Sequence, residues 1–355
     1  MKHLITGALT AALLASTAAT AWAQDAAYTL RATANSNEND EDYDGLVVFK
    51  NYVEAASNGQ IAVEMFIGTQ LCSTGEECLQ GVADGSIDIY IATSGGTASL
   101  FPFVQVLDLP YLMADDRVAE AVLDNGSDFV ADMRARVLES SGDQIRLMTI
   151  GNTGGWRNIA TTTTPVATPA DMAGLKIRTV PAELPQVLAT ALGASPTAIP
   201  WPELFTSLQT GVVEGTANGI TDIMSMKFPD AGLKNLTLDQ HAYMGALWFM
   251  NNAKFLEMPE DLRKVVADGF YQLQQATFAS PKRKSIEAYE AFAAAGGTVY
   301  VPTAEEKAAF QEAAAPVQEW FRTNVDGGGE VLDSFLAEIE AVNARLATEY
   351  EAELN

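Results

Sequence analysis

The chain has 355 residues, with 21 basic against 46 acidic side chains and a formal net charge of −25. Such a surface repels nucleic acid and anionic lipid, so no nucleic-acid partner is expected. The length is enough for two domains, and the only histidines, His3 and His241, cannot build a metal cluster.

The chain opens with a basic Met1-Lys2-His3, an apolar run from Leu4 to Ala21 and a small-x-small site at Ala21-Trp22-Ala23. Residues 1–23 therefore read as a cleaved export signal. No cysteine follows the run, so no lipid anchor is expected, and no later stretch is apolar enough to span a bilayer. Tyr28 to Ala34 alternates as a first strand. A polar acidic loop, Asn35 to Asp44, precedes a helical pattern over Leu46–Ala56 that ends at Asn58-Gly59. The run Glu38-Asn39-Asp40-Glu41-Asp42 lacks the ligand order and fixed glycine of a helix–loop–helix calcium site, so no metal is expected there. Ile61–Ile67 is a second strand. Cys72 and Cys78 are spaced to close a small disulfide ring in an oxidising compartment; two buried free thiols are the alternative. A helix over Glu76–Asp84 closes at Gly85, and a third strand, Ile87–Ala92, runs into the polar turn Thr93-Ser94-Gly95-Gly96.

The alternation restarts after a helical segment, Val118–Leu138. Strands follow at Ile145–Ile150 and Lys176–Val180, helices at Glu183–Leu192 and Glu203–Gln209, and a turn at Gly215–Gly219. The region beyond Pro281 is largely helical. This pattern predicts an α/β fold of two lobes, with a ligand cleft at the carboxyl ends of the strands.

Arg178 stands out in this reading. It ends an apolar strand bracketed by Leu175, Ile177 and Val180, where a charge is costly unless an anion meets it. A guanidinium matches a carboxylate in bidentate geometry, so the ligand is expected to carry a carboxylate. Arg157, in Gly154-Gly155-Trp156-Arg157-Asn158, is a second candidate, with a surface turn as its alternative. Asn218 can donate to one oxygen and accept from a hydroxyl or amine. Trp201, held between Pro200 and Pro202, suits a pocket wall or ordinary core packing. Trp156, Glu38, Ser94 and Asp222 complete the candidate set. No nucleophile elbow, phosphate loop or dinucleotide fingerprint appears, so no catalytic residue is expected.

Several motifs in order resemble the dicarboxylate-binding (DctP-like) solute-binding proteins of tripartite ATP-independent periplasmic (TRAP) transporters. They are Gly68-Thr69-Gln70-Leu71, Gly85-Ser86-Ile87-Asp88, Val106-Leu107-Asp108-Leu109-Pro110-Tyr111-Leu112, Gly155-Trp156-Arg157-Asn158-Ile159, Gly174-Leu175-Lys176-Ile177-Arg178, Pro196 through Trp201, Leu208 through Gly215, and His241-Ala242-Tyr243. The resemblance implies a two-lobed periplasmic binding protein with crossing strands and a long C-terminal helical region. It implies lobe I from residues 24–154 plus about 241–282 and lobe II from 155–240 plus about 283–355. It implies that Arg178 pairs with the ligand carboxylate, that Arg157 and Asn218 assist, and that Trp201 forms the aromatic wall. The expected partners are a small organic acid and the membrane permease subunits, with the protein a periplasmic monomer that uses no cofactor and drives uptake from ion gradients.

Two departures bear on the ligand. The family pattern Gln-Glu-Asn-Pro is replaced by Thr216-Ala217-Asn218-Gly219, and the first-strand loop lacks its usual histidine. Glu38 in that loop, with Trp156, Trp201 and Trp248 near, would suit a zwitterion such as an ectoine-like or betaine-like solute. Trp248 also reads as core. A hydrolase or lyase on the same scaffold and a sensory ligand-presenting protein are the readings from other classes.

Overall fold

The computed structural model describes residues 26–354, so the stretch read above as an export signal lies outside the described residues. Nine strands form one mixed sheet: β1 (Tyr28–Ala34), β2 (Ile61–Ile67), β3 (Ile89–Thr93), β4 (Ile145–Thr161), β5 (Lys176–Thr179), β6 (Ser195–Ala198), β7 (Gly215–Asn218), β8 (Asn235–Asn251) and β9 (Thr298–Tyr300). The order is β2-β1-β3-β8-β4-β7-β5-β6, with β9 beside β8. At one end β2, β1 and β3 run parallel, and at the other β7, β5 and β6 do the same. Between them lie the antiparallel β4 and β8, each 17 residues long. The sheet is thus two parallel α/β halves joined by two strands that cross from one to the other.

The crossing strands bend where their pairing is interrupted, between Asn152 and Trp156. Gly154 and Gly155 sit there with φ of 75° and 80°, a left-handed backbone that side chains disfavour. That glycine pair makes the sequence read as a strand ending at Ile150. The chain instead turns briefly and pairs again, reaching Thr161.

Other boundaries moved for local reasons. The helical stretch read over 118–138 is two helices, Asp116–Val122 and Asp128–Ser140, because the Ser127 hydroxyl caps the second at Val130 N. The acidic loop ends sooner than expected. Asp40 caps a helix over Glu41–Ala56, so Glu41, Asp42 and Asp44 lie in its first turn, where acidic groups suit the helix dipole. The turn at Thr93–Gly96 is a short helix, Ser94–Thr97.

Three cores pack the described residues. One packs Phe49, Phe270 and Trp248 with β1 to β3, another packs Phe228, Leu204 and Phe292, and the largest joins Phe101, Phe249 and Leu184 to Phe129, Phe321 and Phe335 of the helices. Trp248 is fully buried in the first, away from the cleft. A 35-residue helix, Glu260–Ala294, runs through Pro281 and packs along helix Glu41–Ala56 and β4. The C-terminal helices are shared between the halves. Ala304–Ala314 and Pro316–Asn324 lie on helix Glu183–Ala191, whereas Gly328–Leu354 lies on Asp116–Val122 and Asp128–Ser140. Among the described residues no helix is long and apolar enough to cross a membrane.

Cys72 and Cys78 are joined in a disulfide. The ring encloses Ser73–Glu76, which border the central cavity. Closing so short a loop restricts the unfolded chain by about 2 kcal/mol. The Cys72→Ser/Cys78→Ser protein should therefore unfold at lower urea, with its midpoint displaced by that free energy over an unchanged slope. Coincident urea curves would show that the ring contributes nothing to stability.

Candidate ligand site

A cavity of about 310 Å³ opens between the two halves, a volume suited to a small organic molecule. The carboxyl ends of β3, β5 and β7 point into it, bringing Thr93, Arg178, Val180 and Asn218 to its wall. Arg157 reaches it from β4, just past the glycine bend. Trp201 comes from the turn after Pro200, and Asp222 from the helix after β7.

Arg178 is 2% exposed. Its Nε donates to the Ile199 carbonyl at 2.9 Å, while Nη2 has no hydrogen-bond partner. Its guanidinium lies 5.6 Å from the Trp201 ring centroid, within reach of a cation–π contact. Burial, and then the charge of Arg157, push its pKa down to about 9. A charge held at that cost, with a donor unused, is suited to an incoming anion. Trp201 stands edge-on to Phe228, ring centroids 5.4 Å apart, which fixes its plane.

Arg157 is anchored rather than free. Its Nη1 donates to the Ala217 carbonyl at 3.0 Å, and its Nε lies 3.5 Å from Asp108 Oδ1. The Ser94 hydroxyl donates to Asp108 Oδ2 at 2.5 Å. Ser94 therefore does not line the cavity; it orients the carboxylate that orients Arg157. Asn218 faces Asn158 across the β4–β7 pair. Its Oδ1 accepts from the Thr216 hydroxyl at 2.9 Å, and its Nδ2 approaches Asp222 Oδ2 at 3.5 Å.

Two candidates fall elsewhere. Trp156 donates from Nε1 to Asp116 Oδ1 at 2.7 Å and packs on Tyr243, bordering a different cavity. Its neighbour Arg157 points the opposite way because side chains alternate along a strand. Glu38 is exposed and outside the cavity lining. The buried acidic groups that do line it are Asp40, Asp42 and Asp222, with the exposed Glu76 also on its lining. The sequence named Asp40 and Asp42 only as part of a charged run; the signal that sets Asp40 apart is its place as the N-cap of the following helix.

These carboxyls are strongly perturbed. Burial and the neighbouring charge of Glu41 raise Asp40 to about 7. Burial and the surrounding acids push Asp42 and Asp222 well above the usual carboxylate range, and burial raises Glu41. The cavity thus sets two arginines and a fixed aromatic plane against a cluster of carboxyls. It can hold an anion at one end and a positive charge at the other.

The profile of bacterial extracellular solute-binding protein family 7 matches residues 32–324. The chain is 28% identical over 311 residues to a 2,3-diketo-L-gulonate-binding periplasmic protein of Escherichia coli, a match spanning 86% of this chain and 91% of that one. It is also 28% identical over 315 residues to an ectoine-binding periplasmic protein of Halomonas elongata, across 86% and 89% of the two chains. Its fold is similar to that of a TRAP periplasmic solute-binding protein from Desulfovibrio salexigens solved with orotic acid. That similarity has a TM-score of 0.82 and 25% identity, covering 89% of this chain and 99% of the other. By sequence over most of its length and by fold, the chain belongs to the DctP family of TRAP-type periplasmic solute-binding proteins.

Proposed function

We propose that this protein captures a small carboxylate-bearing organic solute in the periplasm and delivers it to the permease subunits of a TRAP transporter. The observation that supports this most is Arg178: a buried guanidinium with an unpartnered Nη2 on the wall of a cavity sized for a metabolite. In this reading Arg178 takes the carboxylate, Arg157 and Asn218 add donors, and Trp201 covers one face. Closure is a hinge motion of the half carrying β1 to β3 against the half carrying β5 to β7, the glycine pair in β4 absorbing the rotation. The protein acts as a monomer without a cofactor, binds its solute unchanged and depends on ion gradients in the transporter for uptake.

A zwitterionic solute is the second reading, favoured by Asp40, Asp42 and Asp222 lining the same cavity as the arginines. A thermal-shift screen of organic acids and zwitterions, followed by calorimetry, tests both readings. At least one acid is expected to raise the unfolding midpoint of the wild type and not of Arg178→Ala. A solute whose uncharged-amine analogue binds equally well rules out the zwitterionic reading. Chemical turnover of the bound solute would replace the receptor reading with an enzymatic one.

A further inference from the structure

We propose that Asp40, Glu41 and Asp222 hold a calcium-sized divalent cation beside the solute cavity. Each offers a carboxylate oxygen within 4.8 Å of those of the other two, and all three side chains are buried. Calcium–oxygen bonds of about 2.3–2.6 Å place opposite ligands roughly 5 Å apart, so oxygens gathered within 4.8 Å of one another can share one such ion. Three converging carboxylates suit calcium better than magnesium, which usually keeps several waters and takes only one or two carboxylates.

An independent observation points to the same place. The Thr221 hydroxyl is 5% exposed and points at the Glu41 carboxylate without reaching normal hydrogen-bond geometry. Both oxygens of Glu41, which is 0% exposed, are likewise unpartnered. Buried polar atoms are rarely left so, and three converge here. Lys284, whose charge reaches Asp40 and Glu41, forms its close contacts elsewhere: its Nζ lies 2.8 Å from Asp44 Oδ2 and donates to the Asn39 carbonyl at 2.8 Å.

The choice between an ion and a cationic head group on the solute follows from position. Asp40 and Asp222 line the cavity, but Glu41 and Thr221 do not. An ammonium group inside the cavity would pair with the first two and leave the others buried and unmatched. A single ion seated among the carboxylates satisfies all of them. The acidic run alone lacks the ligand order of a calcium loop; the fold completes the set by bringing in Asp222 from the helix Ile220–Ser225.

The test uses the metal alone and so does not depend on the solute. Purified protein is dialysed against chelator and titrated with calcium chloride in a calorimeter without any organic ligand. One calcium per chain is expected, with affinity reduced at least tenfold in Glu41→Gln and retained in Arg178→Ala. Asp222→Asn gives the same reading should Glu41→Gln fail to fold, as judged by circular dichroism. A flat titration of the wild type overturns the proposal, as does a folded Glu41→Gln or Asp222→Asn protein that binds calcium like the wild type. Binding of methylammonium in place of calcium also overturns it and assigns the acidic wall to the solute.

Discussion

Arg178→Ala is expected to cost about 2–5 kcal/mol of solute affinity, roughly thirty- to several-thousand-fold in Kd, while the chain stays folded. The large effect follows from burial. At 2% exposure, water cannot take over the contact the guanidinium makes with an anion. The small effect on folding follows from a balance. The substitution opens a cavity and removes the partner of the Ile199 carbonyl, but it also removes a desolvated charge facing Arg157. The readout is therefore the difference between solute-free and solute-bound unfolding midpoints, with calorimetry for Kd. Arg178→Lys keeps the charge and loses the planar fork, so it should recover only part of the affinity. Equal affinity in folded Arg178→Ala would remove the carboxylate contact from the reading.

The second large effect is expected at Gly219, where the family pattern has a proline. A side-chain carbon there would lie 1.6 Å from the Gly154 carbonyl oxygen, which is backbone and cannot swing aside. Gly154 is itself pressed on Asp222: a side chain at that position would come within 2.4 Å of its carboxylate. Gly219→Ala must therefore part β4 from the segment carrying Asn218 and Asp222. Such overpacking typically costs 1–3 kcal/mol or more of stability. Solute binding should fall at least tenfold as well, because the displaced groups border the cavity. Urea unfolding and calorimetry on the same preparation measure the two losses; wild-type values in both would show that the two segments separate freely. The same contact accounts for the change from the family pattern, since a proline ring at this position would meet the same carbonyl.

The short parallel units were legible because strand and helix periods alternate clearly from Tyr28 to Thr93. The crossing strands were legible only by resemblance. Gly154-Gly155 interrupts β4, and the apolar run Met244–Met250 in β8 does not distinguish a strand buried on both faces from any other core segment. Among site residues, Arg178 betrayed itself by chemistry alone, as a charge on an apolar strand. Glu38 and Asp40 could not be told apart, because which acid of a run turns inward depends on where the helix begins. Trp156 and Arg157 are neighbours in sequence and face different cavities, a consequence of strand alternation that needs the sheet to be read.

The sequence by itself determined the class of the molecule: an acidic α/β chain with one costly arginine on an apolar strand. Those properties reside in composition and local pattern, which act through nearest neighbours along the chain. Only the tertiary structure decided that Asp40, Glu41 and Asp222 meet, that Ser94 reaches Arg157 through Asp108, and that Arg178 faces Trp201. Each of those contacts joins segments distant in sequence. Their proximity is set by how the two halves of one sheet meet across a pair of crossing strands.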